Sequence, residues 1–322
     1  MTQRFEPLDI QCDNPQAAGA YPLTPRELLL MSHRLRATGL FEDDALAELL
    51  DGYPHEDLHI TTMKVDAAPG QPTSDWRAGT TQGLGGEQIL RAVRSGHLWL
   101  NVKRLDRNAP LYAQLLDTLY RELSATLGCT PPSWRSATLL ISSPGASVYY
   151  HLDSIPNILW HIRGRKTVFL YPNDDERFAP TEFIERICSG ESDEELPYRP
   201  DFESAARVIE LEPGRALMWP QNSPHRVANS DGLNVSLSTE HLTPRARRRV
   251  YLHRGNRLLR RAGITPGGVD ARGGNVKMAL AACDSVLRKL RRQKPIRFEL
   301  TPTFRVDPEA HNGYRDIGSA DE

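Results

Sequence analysis

Residues 148–170 read VYYHLDSIPNILWHIRGRKTVFL and contain three short apolar or alternating runs separated by turn residues. The runs are short, bounded by turns and rich in β-branched and aromatic side chains, which favours strands over helices. Similar runs occur nearby: ATLLISS precedes this stretch, and RVIELEPG, RALMWP and LNVSLSTEH follow it. Seven short strands at this spacing predict a β-barrel or β-sandwich.

Helical patterns flank this β-rich part of the chain. On the N-terminal side, a capping box at residues 24–27 predicts a helix through the apolar run at 28–35, and further helices are expected at 43–50, 86–95 and 111–127. The Gly- and Pro-rich segment 65–85, which contains Trp76, is a predicted loop and a candidate lid. On the C-terminal side, helices are expected at 250–262 and 276–292, followed from residue 306 by a loose polar tail.

The charge of the chain is balanced overall but unevenly distributed. The net charge is −1, yet residues 174–203 hold eleven acidic and three basic side chains, and residues 245–292 hold fourteen basic and two acidic ones. The last predicted helix also carries an apolar seam with spacings of four, three, four and three, formed by Val276, Leu280, Cys283, Leu287 and Leu290. The seam favours a homodimer through the C-terminal helices, whereas the basic charge leaves nucleic-acid binding open as a less favoured alternative.

Nothing in the sequence indicates a membrane or secreted protein. No run of about 18 apolar residues is present, and the N-terminus lacks a basic stretch followed by an apolar one. The four cysteines lie far apart without a CxxC pair, so we expect reduced thiols rather than disulfides or a zinc ribbon. The expected compartment is the cytoplasm.

A metal site is predicted around His151 and Asp153. Side chains two residues apart on a strand point to the same face, so both would enter one interior. His225, which lies 72 residues further on within a turn after RALMWP, is the best third ligand. Two histidines and one carboxylate are the ligands of non-haem Fe(II) oxygenases and leave coordination positions open. The rivals are His161, more consistent with lining the pocket, His241 at a strand end and His253 among arginines.

Lys166 is the second chemically informative residue. It opens the strand KTVFLYP after the turn Arg163-Gly164-Arg165. A lysine that points into a barrel is costly unless it meets an anion, and a carboxylate of a bound co-substrate would provide one. Period-two alternation alone leaves open that Lys166 lies on the outer face of its strand.

These motifs resemble the JmjC and cupin-like (cupin_8-type) 2-oxoglutarate hydroxylases. The resemblance covers roughly residues 137–241 and rests on YHLDSIPNILWHIRGRKTVFLYP together with LEPGRALMWPQNSPHRVAN. It implies a mainly β fold with added helices, with a double-stranded β-helix (jelly-roll) core. The corresponding division is an N-terminal helical and lid region (1–130), a catalytic core (131–243) and a C-terminal basic helical region with a tail (244–322).

The resemblance also implies which residues bind the cofactors. His151, Asp153 and His225 would bind Fe(II), Lys166 would bind the distal carboxylate of 2-oxoglutarate, and Asn157 would face the co-substrate or the metal. Ser238, or its neighbour Ser236, falls near a further co-substrate position. Where the family often has Thr or Ser, this chain has Val148. A hydroxyl of Ser143, Tyr149 or Tyr150 would have to replace it.

The function implied is an oxygenase that hydroxylates a peptide, protein or amino-acid-like substrate by hydrogen abstraction through a ferryl species. Two other classes stay open on the residues alone. One is a cupin-like metal enzyme that does not use 2-oxoglutarate. The other is a regulatory module that binds nucleic acid through residues 245–292.

Overall fold

Two β-sheets, one of eleven strands and one of four, form the frame of the protein. The computed structural model describes residues 5–13, 27–62, 76–230, 232–269, 273–291 and 301–318. The strands in chain order are β1 (Gln11–Cys12), β2 (Leu29–Ser32), β3 (Leu58–Thr62), β4 (Arg77–Thr80), β5 (Leu98–Val102), β6 (Trp134–Ser142), β7 (Ser147–His151), β8 (Asn157–Arg163), β9 (Lys166–Leu170), β10 (Arg207–Leu211), β11 (Arg215–Met218), β12 (His225–Asn229), β13 (Asn234–Leu242), β14 (Phe304–Val306) and β15 (Tyr314–Asp316).

The large sheet has the strand order β1-β2-β11-β8-β13-β6-β5-β3-β4-β14-β15, and the small sheet has the order β10-β9-β12-β7. Apart from the parallel pair β14 and β4, neighbouring strands are antiparallel. The chain passes from the large sheet to the small one between β8 and β9, where Gly164 has a φ of +83° and its position for a Cβ lies 2.7 Å from the side chain of Asn234. Glycine suits this turn because it tolerates both the positive φ and the close neighbour.

Three apolar layers hold the sheets together. Side chains from both sheets, including Leu159 and Leu217 of the large one and Val168 and Val227 of the small one, share one cluster between them. The other face of the large sheet packs on N-terminal helices in the largest cluster. The outer face of the small sheet packs on the insert between β9 and β10. The two facing, mainly antiparallel sheets agree with the predicted mainly β fold.

The described residues form seven α-helices: α1 (Asp43–Asp51), α2 (Gly86–Ser95), α3 (Leu105–Asn108), α4 (Pro110–Thr126), α5 (Thr181–Cys188), α6 (Pro244–Arg261) and α7 (Gly274–Leu290). The seven predicted strands and the helices expected at 43–50, 86–95, 111–127, 250–262 and 276–292 are confirmed within a few residues, except that α6 begins six residues earlier. Cys188 and Cys283 have free thiols. Among the described residues, no helix is both long and apolar enough to span a bilayer.

The helix predicted at residues 28–35 is wrong. Residues 29–32 form β2, which pairs with β1 and β11. Residues 28–31 are all apolar because both faces of this strand are covered: Leu29 and Met31 lie in the largest cluster, and Leu30 packs against the cluster between the sheets. Such a doubly covered strand has no alternation to distinguish it from a helix. The capping box, and most of the predicted loop at 65–85, lie outside the described residues.

The prediction of a loose tail is also wrong where the tail is described. β14 pairs with β4 and β15, and Phe304 is fully buried. Gly79 of β4 makes this packing possible, because the Cβ of any other residue at this position would lie 2.0 Å from the Phe304 ring. The three-part division of the chain stays a prediction, although strands from both sides of residue 130 share the large sheet.

The acidic and basic segments pair with each other. Arg257 and Arg260 of α6 each place their Nε 2.7 Å from a carboxylate oxygen, of Glu191 and Glu185 respectively. Glu185 is fully buried, so Arg260 is the cation that compensates its charge. Ion pairs therefore join the acidic segment, residues 174–203, to the C-terminal helix α6.

Candidate metal centre

The pairing of β7 with β12 brings the predicted ligands together. His151 at the end of β7 lies opposite His225 at the start of β12, and their ring centroids are 4.1 Å apart. Asp153 follows two residues after His151. One ligand atom from each of these three residues lies within 4.8 Å of the others, and no other group of this kind occurs in the described part of the chain.

Both histidines are oriented by main-chain carbonyls. Nδ1 of His151 lies 2.8 Å from the Tyr149 oxygen, and Nδ1 of His225 lies 3.1 Å from the Ser223 oxygen. A carbonyl only accepts hydrogen bonds, so each Nδ1 carries the proton and each Nε2 keeps its lone pair. Burial lowers the pKa of both histidines to about 4, which leaves them neutral and able to bind a metal at neutral pH.

Asp153 supplies the negative charge of the group. It is buried, and its Oδ2 has no hydrogen-bond partner among the described residues and lies 3.7 Å from Nε2 of His225. Burial raises the pKa of Asp153, while an electrostatic interaction with His151 and hydrogen bonds from Asn157 and Trp219 act in the opposite direction. A buried carboxylate oxygen without a partner is costly, and a cation held by two imidazoles and this oxygen would remove that cost. The donor set therefore fits a divalent metal.

Two of the three rival histidines are hydrogen-bonded elsewhere. His161 contacts Ser236 Oγ and the Gly164 carbonyl, each at 2.9 Å, and His241 contacts the Tyr120 hydroxyl at 3.0 Å. His253 is buried in α6. None of the three belongs to the metal-ligating group. Ser236, the less favoured co-substrate residue, is the partner of His161.

Lys166 points into the space between the sheets, so the outer-face alternative is wrong. It is 2% exposed and lies opposite Asn229 in the pairing of β9 with β12. Asn229 follows His225 by four residues on β12, which places Lys166 on the same face as His225. Its Nζ donates to Oδ1 of Asn229 at 2.8 Å and lies 4.8 Å from the Trp99 ring centroid.

The charge of Lys166 is not neutralised by any carboxylate in the described ranges. Burial lowers its pKa to about 7. A cation that lies inside the protein without a counter-ion is costly, and an anionic ligand is the simplest compensation.

Sequence reasoning missed three residues around this lysine. Asn229 and Trp99 contact its ammonium, and Nδ2 of Asn229 donates to Ser142 Oγ at 2.6 Å. Asn229 could have been found, because it lies an even number of residues from His225 and so shares its face once β12 is recognised as a strand. Trp99 and Ser142 come from β5 and β6, and only the tertiary fold brings them here.

The remaining predicted residues lie on neighbouring strands β8 and β13. Ser238 Oγ donates to Asn157 Oδ1 at 3.0 Å. Of the hydroxyls considered in place of Val148, Tyr150 donates to the Phe178 carbonyl at 2.9 Å, and Ser143 bonds the main chain of Val93 and Leu98. The Tyr149 ring lies 5.2 Å from His151.

The acidic insert forms one side of the site. Leu152 N donates to the Glu194 carbonyl at 3.1 Å, and Leu196 N donates to the Tyr150 carbonyl at 3.0 Å, so this part of the insert extends the edge of β7. Trp76 stacks on Tyr149 with ring centroids 5.7 Å apart. Burial raises the pKa of Glu194 well above its usual value, helped by the charges of Asp153 and Glu240.

Comparison with known proteins finds a family model that matches the middle of the chain. Residues 97–239 match the family model described as a cupin-like domain. The match overlaps the region that carries the two motifs and supports the resemblance drawn from them. No curated protein sequence matches the chain.

Several solved structures are similar at low identity. The X-ray structure of Escherichia coli YcfD is 18% identical with a TM-score of 0.46, covering 81% of this chain and 64% of that chain. YcfD described as a ribosomal oxygenase in complex with cobalt and 2-oxoglutarate is 17% identical with a TM-score of 0.46, covering 88% and 69%. A mutant of Bacillus subtilis oxalate decarboxylase is 16% identical with a TM-score of 0.23, covering 33% and 21%. This chain thus spans 64% of the length of the first structure.

Replacing Asp153 by Asn is expected to abolish metal binding without destabilising the metal-free protein. The change keeps the shape of the side chain and removes a carboxylate that burial disfavours. Added Mn(II) should raise the Tm of the wild-type protein, since a ligand at a hundred times its Kd stabilises the folded state by about 2.7 kcal/mol. Scanning calorimetry of Asp153→Asn should show no such rise.

His253→Leu is the control, because it changes a buried histidine outside the metal-ligating group. It should keep the metal-dependent rise in Tm. A comparable rise in Asp153→Asn would contradict the assignment of this ligand.

Proposed function

We propose that the protein is an Fe(II)- and 2-oxoglutarate-dependent oxygenase that hydroxylates its substrate. The observation that carries this proposal is the pair of unsatisfied charges on one interior surface. A carboxylate with two neutral imidazoles would bind the metal, and a buried ammonium without a counter-ion would bind an acid. A bidentate 2-oxo acid with a second carboxylate satisfies both charges at once.

Iron is the metal this ligand set favours. Two histidines and one carboxylate on one side of the ion leave positions open for a co-substrate and oxygen. With these bound, the centre supplies oxidation of a C–H bond: 2-oxoglutarate, dioxygen and the substrate give succinate, carbon dioxide and the hydroxylated substrate. The chain itself orients the metal ligands, excludes water from the site and holds the co-substrate in one orientation.

Lys166 is proposed to bind the distal carboxylate of 2-oxoglutarate. Asn229 would hold the ammonium in position, and the Trp99 ring would cover it from water. Asn157 and Ser238, hydrogen-bonded to each other beside the centre, are proposed to complete the co-substrate pocket. Tyr149 is the hydroxyl that we propose in place of the residue substituted by Val148, since it lies beside His151.

The substrate is proposed to be a peptide or amino-acid-like molecule with a cationic group. Burial and the charge of Asp153 raise the pKa of both Glu194 and Glu240, and Lys103 is the cation that acts in the opposite direction. Burial raises the pKa of Glu240 to about 7. The cost of burying carboxylates beside a substrate site is compensated when the substrate carries a positive charge.

Anaerobic addition of Fe(II) and 2-oxoglutarate to the protein should produce a weak visible charge-transfer band. His225→Ala should lose the band because the metal is no longer held. Lys166→Met should bind Fe(II) normally but need roughly a hundredfold more 2-oxoglutarate, since removing one partner of a buried charge pair costs about 3 kcal/mol. Titration followed by absorbance measures both effects.

Arg165→Met is the control for charge alone, because Arg165 is exposed and pairs with Glu212, and it should leave the titration unchanged within about twofold. The pH dependence is a second check: the ammonium form of Lys166 is lost as pH rises through about 7, so affinity should fall by up to tenfold per pH unit above that value. Lys166→Met should show no such fall. A wild-type protein without the band, with activity retained in Lys166→Met, would indicate a cupin-like metal enzyme that does not use 2-oxoglutarate.

The proposal of a cationic substrate can be tested with a panel of peptides that differ in charge. Peptides with one arginine or lysine should stimulate 2-oxoglutarate turnover more than matched peptides with glutamate. Glu194→Gln combined with Glu240→Gln should raise KM for the basic peptide at least tenfold while kcat changes less, because the carboxylates bind the substrate rather than react. Equal stimulation by acidic and basic peptides would exclude this substrate class.

We also propose that two copies associate through α7. Val276, Leu287 and Leu290 are 61%, 48% and 75% exposed, and the apolar seam is nearly symmetric about Cys283, which is itself exposed. An antiparallel copy would place Val276 against Leu290 and Cys283 against Cys283 of its partner, an arrangement with twofold symmetry.

Light scattering should show a dimer that Leu287→Glu dissociates. Val208→Glu is the matched control, because Val208 is 55% exposed on β10 and lies outside the seam. Mild oxidation should cross-link the wild-type dimer through Cys283 but not Cys283→Ser. A monomer at all concentrations would refute the proposal.

A further inference from the structure

The turn before His225 contacts both segments that carry the metal ligands. Asn222 lies in this turn, is 1% exposed and has a φ of +64°. Asn is among the few non-glycine residues that adopt this left-handed conformation readily. The positive φ is needed to bend the chain from β11 back into β12, so that His225 starts the strand opposite His151.

The side chain of Asn222 is bonded on both sides. Its Nδ2 donates to the Asp153 carbonyl at 3.1 Å and approaches the Ser154 carbonyl at 3.4 Å. Its Oδ1 accepts from Arg249 Nε of α6 at 3.0 Å. The amide is therefore held by a helix of the C-terminal region while it holds the main chain of a metal ligand.

The neighbours of Asn222 continue this pattern. Gln221 Nε2 donates to the Ser154 carbonyl at 2.9 Å, and the Ser223 carbonyl lies 3.1 Å from Nδ1 of His225. One short turn therefore bonds the segment after Asp153 and also orients His225. Groups that orient metal ligands in this way affect affinity although they never touch the metal.

We infer that Asn222 is a positioning residue of the metal centre, and that Arg249 supports it from α6. The Asn222 amide fixes the main chain of Asp153 relative to His225, so the carboxylate and the imidazole face one point before a metal arrives. The C-terminal helix α6 thereby contributes to the geometry of the centre. This inference rests on the metal centre of the proposed function.

The test is titration of the metal-free protein with Co²⁺, followed by its visible absorption, which reports both affinity and coordination geometry. Asn222→Gly keeps the positive φ and deletes the amide. Asn222→Asp keeps an acceptor for Arg249 and loses the donor to the Asp153 carbonyl. Both variants should bind Co²⁺ at least tenfold more weakly, with a changed absorption spectrum. Arg249→Gln should weaken binding less, because the bond to Asp153 remains.

Asn173→Ala is the matched control. The Asn173 amide donates to the Gln221 carbonyl at 3.1 Å, so this variant deletes an amide bond to the same turn without touching either ligand segment. It should bind Co²⁺ within twofold of the wild-type protein, and circular dichroism should show that all variants are folded.

The outcomes are separable. Wild-type affinity in Asn222→Asp, or equal weakening in Asn173→Ala, would overturn the inference and leave the metal centre intact. Failure of the wild-type protein itself to bind Co²⁺ would overturn the metal centre, and the inference with it.

Discussion

Two buried charges of opposite sign, the carboxylate of Asp153 and the ammonium of Lys166, constrain the interior between the sheets. Neither is neutralised by a side chain in the described ranges, and the histidines beside the carboxylate are neutral near pH 7. Isolated charges in an apolar interior are among the most costly features a fold can contain. The rest of the structure supports this arrangement, since the adjacent strands β9, β12 and β7 carry Lys166, His225 and His151, and Asp153 follows β7 by two residues.

Elements outside the sandwich support the centre through specific bonds. The acidic insert lies along the edge of β7 and pairs its carboxylates with arginines of α6. The same helix supplies Arg249, which bonds the turn before His225. Part of the charge of the acidic and basic segments is thus paired between them. Buried ion pairs of this kind are retained where geometry is required, although their net stabilisation is small.

Local patterns predicted most elements and failed for identifiable reasons. The seven strands have turn residues at both ends, and helices such as α2 and α4 show clear helical periodicity. The run at 28–35 gave no period to distinguish a strand from a helix, because both faces of β2 are covered. β12 was missed because HRVAN contains two polar residues that face the interior, His225 and Asn229, which serve the site rather than the core.

The sequence by itself determined the order of the ligand motifs, the spacing that puts His151 and Asp153 on one face, and the presence of a lysine near the β8–β9 turn. These are local properties, set by the period of a strand and by turn chemistry. Only the tertiary structure decided that His225 meets His151, that Lys166 points inward and that Asn222 bonds the Asp153 segment. Each depends on strand register and on contacts between residues more than 60 positions apart, which periodicity cannot specify.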